Sequence, residues 1–288
     1  MSARAEISRW ASHAVRTFDS AFDGRVPSGI YTFLRATLSA LLLVRSADWL
    51  RPILRLDHHS WVRGLDFSWS IAEAPYLVSP LIPGLILGTR ATWVLVRLRV
   101  ALGLALLVGI RPAWTALSLA VLSYVLLFAD RYRYFHHLHA LYLGIAWLAL
   151  IPGSRSIGAA PRRSAAWPLQ ILRAGVVSIY LAAGTAKLNA AWWRGDSLAI
   201  LAHVHALNGS IWLLLQQAFG LGVLAKAACL TELGLPLLLV WRPTRRVAIA
   251  LGAAFHALIS ALMPVSTFGV TMTLLLVSFW PRRVRESC

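Results

Sequence analysis

The chain is poor in charged residues: only 14% of its 288 residues are Asp, Glu, Lys or Arg. Soluble domains carry about 25% charged residues, so an ordinary water-exposed surface is not expected. Cysteine is also scarce, with Cys229 in an apolar run, Cys288 at the C-terminus and no CxxC motif. The missing CxxC pair excludes a membrane thiol oxidase or another disulfide-exchange enzyme.

Acidic residues are few, and their scarcity gives the chain a net charge of +17, with 11 Asp and Glu against 28 Lys and Arg. The basic residues form short clusters between apolar runs, and no basic face interleaved with stacking aromatics is visible. This placement is typical of a membrane protein that sets its orientation and excludes nucleic acid as a partner.

What the chain does contain is apolar sequence, at 58% hydrophobic residues and a mean hydropathy of +0.67. Apolar runs of about 17–22 residues recur, each long enough for about 30 Å of hydrocarbon. Because a backbone in lipid must satisfy its own hydrogen bonds, these runs predict an all-α, polytopic transmembrane bundle of about eight spans. The spans are Ile30–Leu50, Ala91–Ile110, Pro112–Phe128, Tyr134–Ile151, Pro168–Leu188, Leu221–Val240, Val247–Met263 and Thr267–Trp280.

The arginine clusters predict the topology. An interfacial or cytosolic leader (1–28) precedes the transmembrane domain (29–281), and a basic cytoplasmic tail (282–288) follows it. Arginines concentrate on one side, including Arg25, Arg111 and the clusters at 155–163 and 242–246, so both termini are expected in the cytoplasm. Prolines between Phe67 and Gly88 indicate an interfacial or re-entrant segment, and Ala191–Gly220 reads as a polar-aromatic link.

Only two of the basic residues are lysines, Lys187 and Lys226. Lys187 lies near the outer end of the fifth predicted span, where the simplest interpretation is an anchor that snorkels to the interface. The alternative is a general base, because a desolvated lysine can lose its proton whereas arginine cannot. The use of lysine in so arginine-rich a chain favours the base.

Among the other ionisable groups inside predicted spans, three are candidates for function: His139, Glu232 and His256. Intramembrane ionisable residues are candidates for function. The structural alternative is a network in which Glu232 and His256 satisfy each other. A further alternative is that Glu232 pairs with Lys187 or with a nearby arginine. The rise along each helix, however, places Lys187 nearer the outer face and argues against direct contact between Lys187 and Glu232.

The histidines do not predict a metal centre. His136 and His139 lie on one helical face, but His203 and His205 diverge, and no cysteine or second carboxylate completes a ligand set. Most tryptophans fall near span ends and are explained by an interfacial belt.

The stretch from Ile179 to Gly195, with Tyr180, Ala183-Gly184, Lys187-Leu188, Trp192 and Gly195 in that order, resembles the signature of the vitamin K-dependent gamma-carboxylase family. Bacterial members are often called HTTM (horizontally transferred transmembrane) domain proteins. Weaker similarities follow the same order over about residues 28–280: Phe33-Leu34-Arg35, Leu138-His139, Glu232 with Trp241-Arg242-Pro243, and Phe255-His256.

The resemblance implies an integral membrane enzyme of the bacterial inner membrane that handles a reduced naphthoquinone of the vitamin K or menaquinone type. In the family, the lysine matching Lys187 deprotonates the quinone, which reacts with oxygen to give the base that leads to carboxylation of peptide glutamate. The histidine matching His139 supports the developing charge. The expected catalytic residues are therefore Lys187, His139 and His256, with Glu232, Tyr180 and Trp192 in support and no metal.

The animal carboxylase carries a large lumenal region after its membrane domain, whereas this sequence stops eight residues after Trp280. Glutamate carboxylation is therefore less strongly expected than quinone-linked or peptide-modifying chemistry on a secreted peptide. The alternative is a non-enzymatic membrane protein that uses the same fold as an assembly, maturation or immunity partner of a secreted peptide. A transporter is disfavoured because inverted repeats are not visible.

Overall fold

The computed structural model describes residues 24–54, 76–78, 86–129, 138–151, 163–203, 207, 209–263 and 266–280. Nearly all of the predicted leader and the basic tail lie outside these residues. So do His136, His137 and His205, and most of the proline-containing segment between the first two long helices.

The described residues are mostly α-helical, and the helices follow the apolar runs. Leucine, alanine and valine dominate these runs, and their burial against neighbouring helices stabilises helices that polar sequence would not support. The helices are α1 (Gly29–Leu54), α2 (Thr89–Val108), α3 (Pro112–Ala129), α4 (Leu138–Leu148), α5 (Trp167–Ala186), α6 (Ala190–Arg194), α7 (Asp196–His203), α8 (Ser210–Phe219), α9 (Leu221–Val240), α10 (Arg245–Leu262) and α11 (Ser266–Leu276).

Four segments of the described chain are long and apolar enough to cross a membrane: Arg90–Val108, Trp167–Ala186, Leu221–Val240 and Arg242–Leu262. Three shorter apolar helices accompany them, at Pro112–Phe128, Leu138–Leu148 and Thr267–Phe279. The chain is thus a helical integral membrane protein. The prediction of about eight spans and the cytoplasmic placement of both termini stay predictions.

Neighbouring helices pack as antiparallel pairs around one core. α1 packs on α2, α2 on α3 and α3 on α4, while α11 closes the bundle by contacting α1, α4 and α10. Glycines permit close approaches: a Cβ added at Gly103 would lie 2.9 Å from Leu43, and one at Gly252 would lie 2.6 Å from Leu276. Small residues at such crossings are the usual means by which membrane helices associate.

Two short antiparallel strand pairs occur in the described chain, which the all-α prediction did not include. β1 (Arg25–Pro27) pairs with β4 (Arg163–Ala165), and β2 (Tyr76–Val78) pairs with β3 (Ile86–Gly88). Each strand is three residues long, so the sequence carries no alternating pattern that would predict it. In the β1–β4 pair, Arg25 lies opposite Ala165 and Pro27 lies opposite Arg163.

The segment predicted as a link, Ala191–Gly220, is largely helical and contains α7, α8 and most of α6. Glycines at positive φ separate these helices, with φ of +91° at Gly195, +90° at Gly209 and +74° at Gly220. The sequence analysis did not predict these helices, because they are short and carry no long apolar run.

Candidate functional site

The loop that carries Lys187 is built by local capping. α5 ends at Ala186, where the backbone N–H of Lys187 donates to the carbonyl of Gly184 and the backbone N–H of Leu188 donates to that of Thr185, each at 3.0 Å. Asn189 is the N-cap of α6, and its side-chain oxygen accepts from the backbone N–H of Trp192 at 2.9 Å. An asparagine at this position satisfies a backbone donor that the short helix leaves open. Lys187 is therefore fixed at a sharp break between two helices.

Trp192 and Gly195 hold this break against α9. The Trp192 indole Nε1 donates to the carbonyl of Ala225 at 2.7 Å. Gly195 adopts φ +91°, and a Cβ there would lie 2.5 Å from the Cβ of Leu221 and 2.7 Å from its carbonyl carbon. Only glycine combines that backbone conformation with so close a contact. The signature residues Trp192 and Gly195 thus fix where α6 meets α9.

The amine of Lys187 points back into the bundle. Its Nζ donates to Glu232 Oε2 at 2.5 Å and to the carbonyl of Ala183 at 3.1 Å. It also lies 5.1 Å from the centre of the Trp192 ring, in cation–π geometry. The side chains of Lys187 and Glu232 are 20% and 11% exposed. The Lys187 ammonium is thus largely shielded from solvent but remains partly accessible.

The Lys187–Glu232 contact corrects the argument from helical rise. The rise per residue separates the two positions along the membrane normal, but it describes the backbone only. Side chains in a helix tilt toward its N-terminus, so those of antiparallel α5 and α9 lean toward each other. The bond from Lys187 Nζ to Ala183, four residues earlier, shows this backward tilt directly. Glu232 is therefore the partner of Lys187.

The pairing depends on a close crossing of α5 and α9 at Gly184. A Cβ at Gly184 would lie 2.7 Å from the Leu233 side chain and 3.2 Å from its backbone nitrogen. The buried thiol of Cys229 also approaches the Gly184 carbonyl, at 3.6 Å. Pro236 follows inside α9 and has no N–H for the carbonyl of Glu232 four residues earlier. The carboxylate thus lies on a stretch of helix with one missing backbone bond.

A second polar pair lies on the same face of α5. The Tyr180 hydroxyl and His256 Nε2 are hydrogen-bonded at 2.6 Å, and both residues are 2% exposed. His256 Nδ1 is buried without a partner among the described residues. The structure does not support the alternative in which Glu232 and His256 satisfy each other. Each instead bonds a residue of α5, Glu232 to Lys187 and His256 to Tyr180.

His139 lies in the first turn of α4, and its described contacts are separate from those of Lys187. Its ring is exposed and packs edge-on against Tyr124 of α3, with ring centres 5.2 Å apart. The Tyr124 hydroxyl donates to the His139 carbonyl at 3.4 Å. None of the contacts described for His139 is with Lys187, Glu232 or His256. The structure therefore brings together Lys187, Glu232 and Trp192, and Tyr180 with His256, but shows no bond from either group to His139.

Sequence reasoning missed the contributions of Asn189 and of the α9 backbone at Ala225. Asn189 was identifiable, because an asparagine three residues before Trp192 at a helix break is a capping signal. The bond from Trp192 to Ala225 had no such signal, since it joins residues 33 positions apart through a backbone carbonyl.

An open apolar groove of about 720 Å³ lies elsewhere along α5 and α9. Neither Lys187 nor Glu232 lines it; it is lined by Val177, Leu181, Pro236, Leu237, Val240, Trp241, Arg242 and Pro243. Among the described residues, no group of three or more His, Cys, Asp or Glu side chains is arranged to hold a metal ion.

Replacing Gly195 with alanine is expected to destabilise the fold by about 2 kcal/mol, through positive φ and overlap with the Leu221 backbone. Gly209 is a matched control, because it has φ +90° and no atom within 4 Å of an added Cβ. Unfolding of both variants in detergent, followed by tryptophan fluorescence, measures the difference. Equal losses for Gly195→Ala and Gly209→Ala would show that the α6–α9 contact contributes nothing.

The chain was also compared with known proteins. The family model described as HTTM domain matches residues 82–282, which include α2 to α11. No curated protein and no solved structure gave a significant match. The earlier start of the domain, at residue 29, stays a prediction, although α1 packs against α2, α4 and α11. HTTM domains are associated with vitamin K-dependent carboxylase-like membrane proteins. Because the match covers more than half of the sequence, the chain belongs to the HTTM domain family.

Proposed function

We propose that the chain is a membrane enzyme that removes a proton from a substrate bound in the outer half of the bacterial inner membrane, with Lys187 as the base. The proposed chemistry is related to that of the vitamin K-dependent gamma-carboxylases and acts on a reduced naphthoquinone or a secreted peptide. The observation that carries the proposal is the Lys187–Glu232 pair, at 2.5 Å and 20% and 11% exposed. A lysine in such a pair combines shielding from water with a nearby proton acceptor.

Within this proposal, each contact of Lys187 has a chemical role. Glu232 Oε2 accepts a hydrogen bond from Nζ and so fixes its direction. The carboxylate also provides a second atom that can hold the proton. The Trp192 ring covers one side of the amine and excludes water from it. The remaining exposed side of Lys187 is where a substrate hydrogen would approach.

We expect the residues around Lys187 to accept a flat ring that bears oxygen atoms. The amine is partly exposed beside an aromatic face, an arrangement suited to stacking a naphthoquinone while one of its hydroxyl groups meets Nζ. Lys187 and Trp192 would hold such a group. When bound, a reduced naphthoquinone supplies the reducing equivalents for reaction with oxygen. The residues of the chain supply position, proton transfer and exclusion of water.

Oxidation of an added reduced naphthoquinone by purified protein in lipid nanodiscs tests the proposal, together with analysis of quinone extracted from the preparation. We expect oxygen-dependent turnover above the background rate in empty nanodiscs, and co-purified quinone in the parent protein. Absence of turnover with both vitamin K-type and menaquinone-type substrates, and with oxygen and carbon dioxide present, would contradict the quinone-linked chemistry.

In the same assay, His139→Ala is expected to lower turnover about 100-fold, the usual loss when a charge-stabilising group is removed. The matched control is His203→Ala, because His203 is also an exposed histidine near a helix end and is assigned no role. An unchanged rate for His139→Ala would remove this residue from the proposed site. Because His139 is exposed, we expect the His139→Ala variant to fold, and its melting temperature checks this.

A second candidate function follows from the same contacts. The Lys187–Glu232 bond, the Trp192–Ala225 bond and the crossing at Gly184 all join the α5–α6 region to α9. These contacts would equally serve a non-enzymatic membrane protein that acts as an assembly, maturation or immunity partner of a secreted peptide. In that case substitutions at Lys187 lower stability and partner binding, and no quinone turnover exists to be lost.

A further inference from the structure

A buried arginine in the middle of α2 carries a cationic group far from the Lys187 site. Arg99 is 2% exposed and lies near the centre of a helix long enough to cross the membrane. A charged side chain at this depth is costly, and such residues face the protein interior, where they pair or mark a ligand site. The cost of burying the Arg99 guanidinium must therefore be offset by a partner.

The described partners of Arg99 are all uncharged. Its Nε donates to Ser46 Oγ of α1 at 3.0 Å, and its Nη1 donates to the Tyr142 hydroxyl of α4 at 3.3 Å. The guanidinium also lies 5.6 Å from the centre of the Tyr142 ring. Nη2 is buried and has no hydrogen-bond partner among the residues that the structure describes. Within the described chain, the ion pairs are Lys187–Glu232 and Arg194–Asp196, so Arg99 has no carboxylate there.

The cluster formed by Ser46, Arg99 and Tyr142 has more hydrogen-bond donors than acceptors. Ser46 already donates its hydroxyl hydrogen to the carbonyl of Leu42, at 2.7 Å. Tyr142 accepts from Arg99, which leaves its own hydroxyl hydrogen without an acceptor among the described residues. The free Tyr142 hydrogen and Arg99 Nη2 are both donors. A ligand that completes the cluster must therefore accept hydrogen bonds and carry negative charge, which excludes a metal cation.

We propose that Arg99 and Tyr142 form a binding site for a carboxylate-type oxyanion between α1, α2 and α4. A guanidinium presents two parallel N–H groups that match the two oxygens of a planar carboxylate or bicarbonate, and the tyrosine hydroxyl adds a third donor. The Tyr124 ring contacts both the Tyr142 ring, at 5.7 Å between centres, and the His139 ring, at 5.2 Å. The anion would therefore bind one aromatic ring away from His139.

Thermal unfolding of the purified full-length chain in detergent tests this site without any enzymatic assay. Sodium acetate, sodium bicarbonate, sodium phosphate and sodium chloride are titrated separately at fixed pH and matched ionic strength. We expect a saturable rise of the melting temperature with acetate or bicarbonate that chloride does not produce. Either acetate or bicarbonate will produce its maximal rise at the lower concentration. That difference distinguishes an organic carboxylate from bicarbonate as the source of the oxyanion.

Three variants test whether the rise depends on Arg99 and Tyr142. Arg99→Gln is expected to abolish the saturable rise, whereas Arg97→Gln, an exposed arginine on the same helix, retains it. Should Arg99→Gln not fold, Tyr142→Phe keeps the ring, loses one donor and is expected to raise the apparent Kd for the anion about fivefold. A rise equal to that with chloride, a rise that persists in Arg99→Gln, an unchanged Kd in Tyr142→Phe, or tighter binding of phosphate than of both planar anions would each overturn the proposal.

Discussion

Lys187→Arg is expected to leave the chain folded and inserted while lowering its turnover about 1000-fold. Arginine keeps the positive charge and can still bond Glu232, so the crossing of α5 and α9 is preserved. It cannot lose its proton under any physiological condition, and a base that cannot be deprotonated contributes nothing to proton abstraction. The expected loss lies within the range of about 10²–10⁴ that a positioned acid or base contributes.

The chain supplies its own control for this substitution. Lys226 is exposed and lies on α9, the helix that also carries Glu232. Lys226→Arg is expected to retain the turnover of the parent protein. Turnover of both variants in nanodiscs, with melting temperature as the measure of folding, separates catalysis from stability. A Lys187→Arg variant that turns over as fast as the parent protein would refute the catalytic assignment. The Lys187–Glu232 pair would then serve only to hold α5 against α9.

Glu232→Leu is expected to lower the free energy of unfolding by about 3 kcal/mol, because it leaves the Lys187 ammonium shielded and without its anion. In this variant the Lys187 ammonium loses the attraction of the Glu232 carboxylate, but the free-energy cost of desolvating the ammonium remains. The expected size is reduced from that of a fully buried pair, since the Lys187 side chain is 20% exposed. Unfolding in mixed micelles with increasing SDS, followed by tryptophan fluorescence, measures the loss.

A double-mutant cycle decides whether this loss comes from the pair itself. Lys187→Met with Glu232→Leu removes both charges and is expected to be more stable than Glu232→Leu alone, with a coupling free energy of about 1–3 kcal/mol. Additive losses would show that the two side chains contribute independently. The measurement does not depend on the enzymatic proposal, because it concerns only the contact between α5 and α9.

The positions of the long helices were largely predictable. The predicted span Leu221–Val240 has the same bounds as α9, and predicted Pro112–Phe128 ends one residue before α3 does. This agreement follows from the length of the apolar runs, which are bounded by glycine, proline or arginine. The fifth predicted span was extended to Leu188, two residues beyond Ala186, because the break at Lys187 depends on a cap at Asn189 rather than on hydropathy.

The contacts between helices were much less predictable. Lys187 and Glu232 were each identified from the cost of an ion in the membrane, but their pairing joins residues 45 positions apart. It depends on the tilt of two side chains and on a crossing set by Gly184. Tyr180 was selected through a family resemblance, yet its bond to His256 could not be read from one sequence. Single-helix periodicity contains no information about which helices meet.

The distance in sequence between Lys187 and its carboxylate also bears on biosynthesis. The 45 residues that separate them take roughly 2–9 s to synthesise at about 5–20 residues per second. During that interval the nascent chain carries an ammonium at the end of α5 whose counter-ion has not yet left the ribosome. Membrane insertion of the first part of the chain must therefore tolerate a solitary cation, and the arrival of α9 draws it inward.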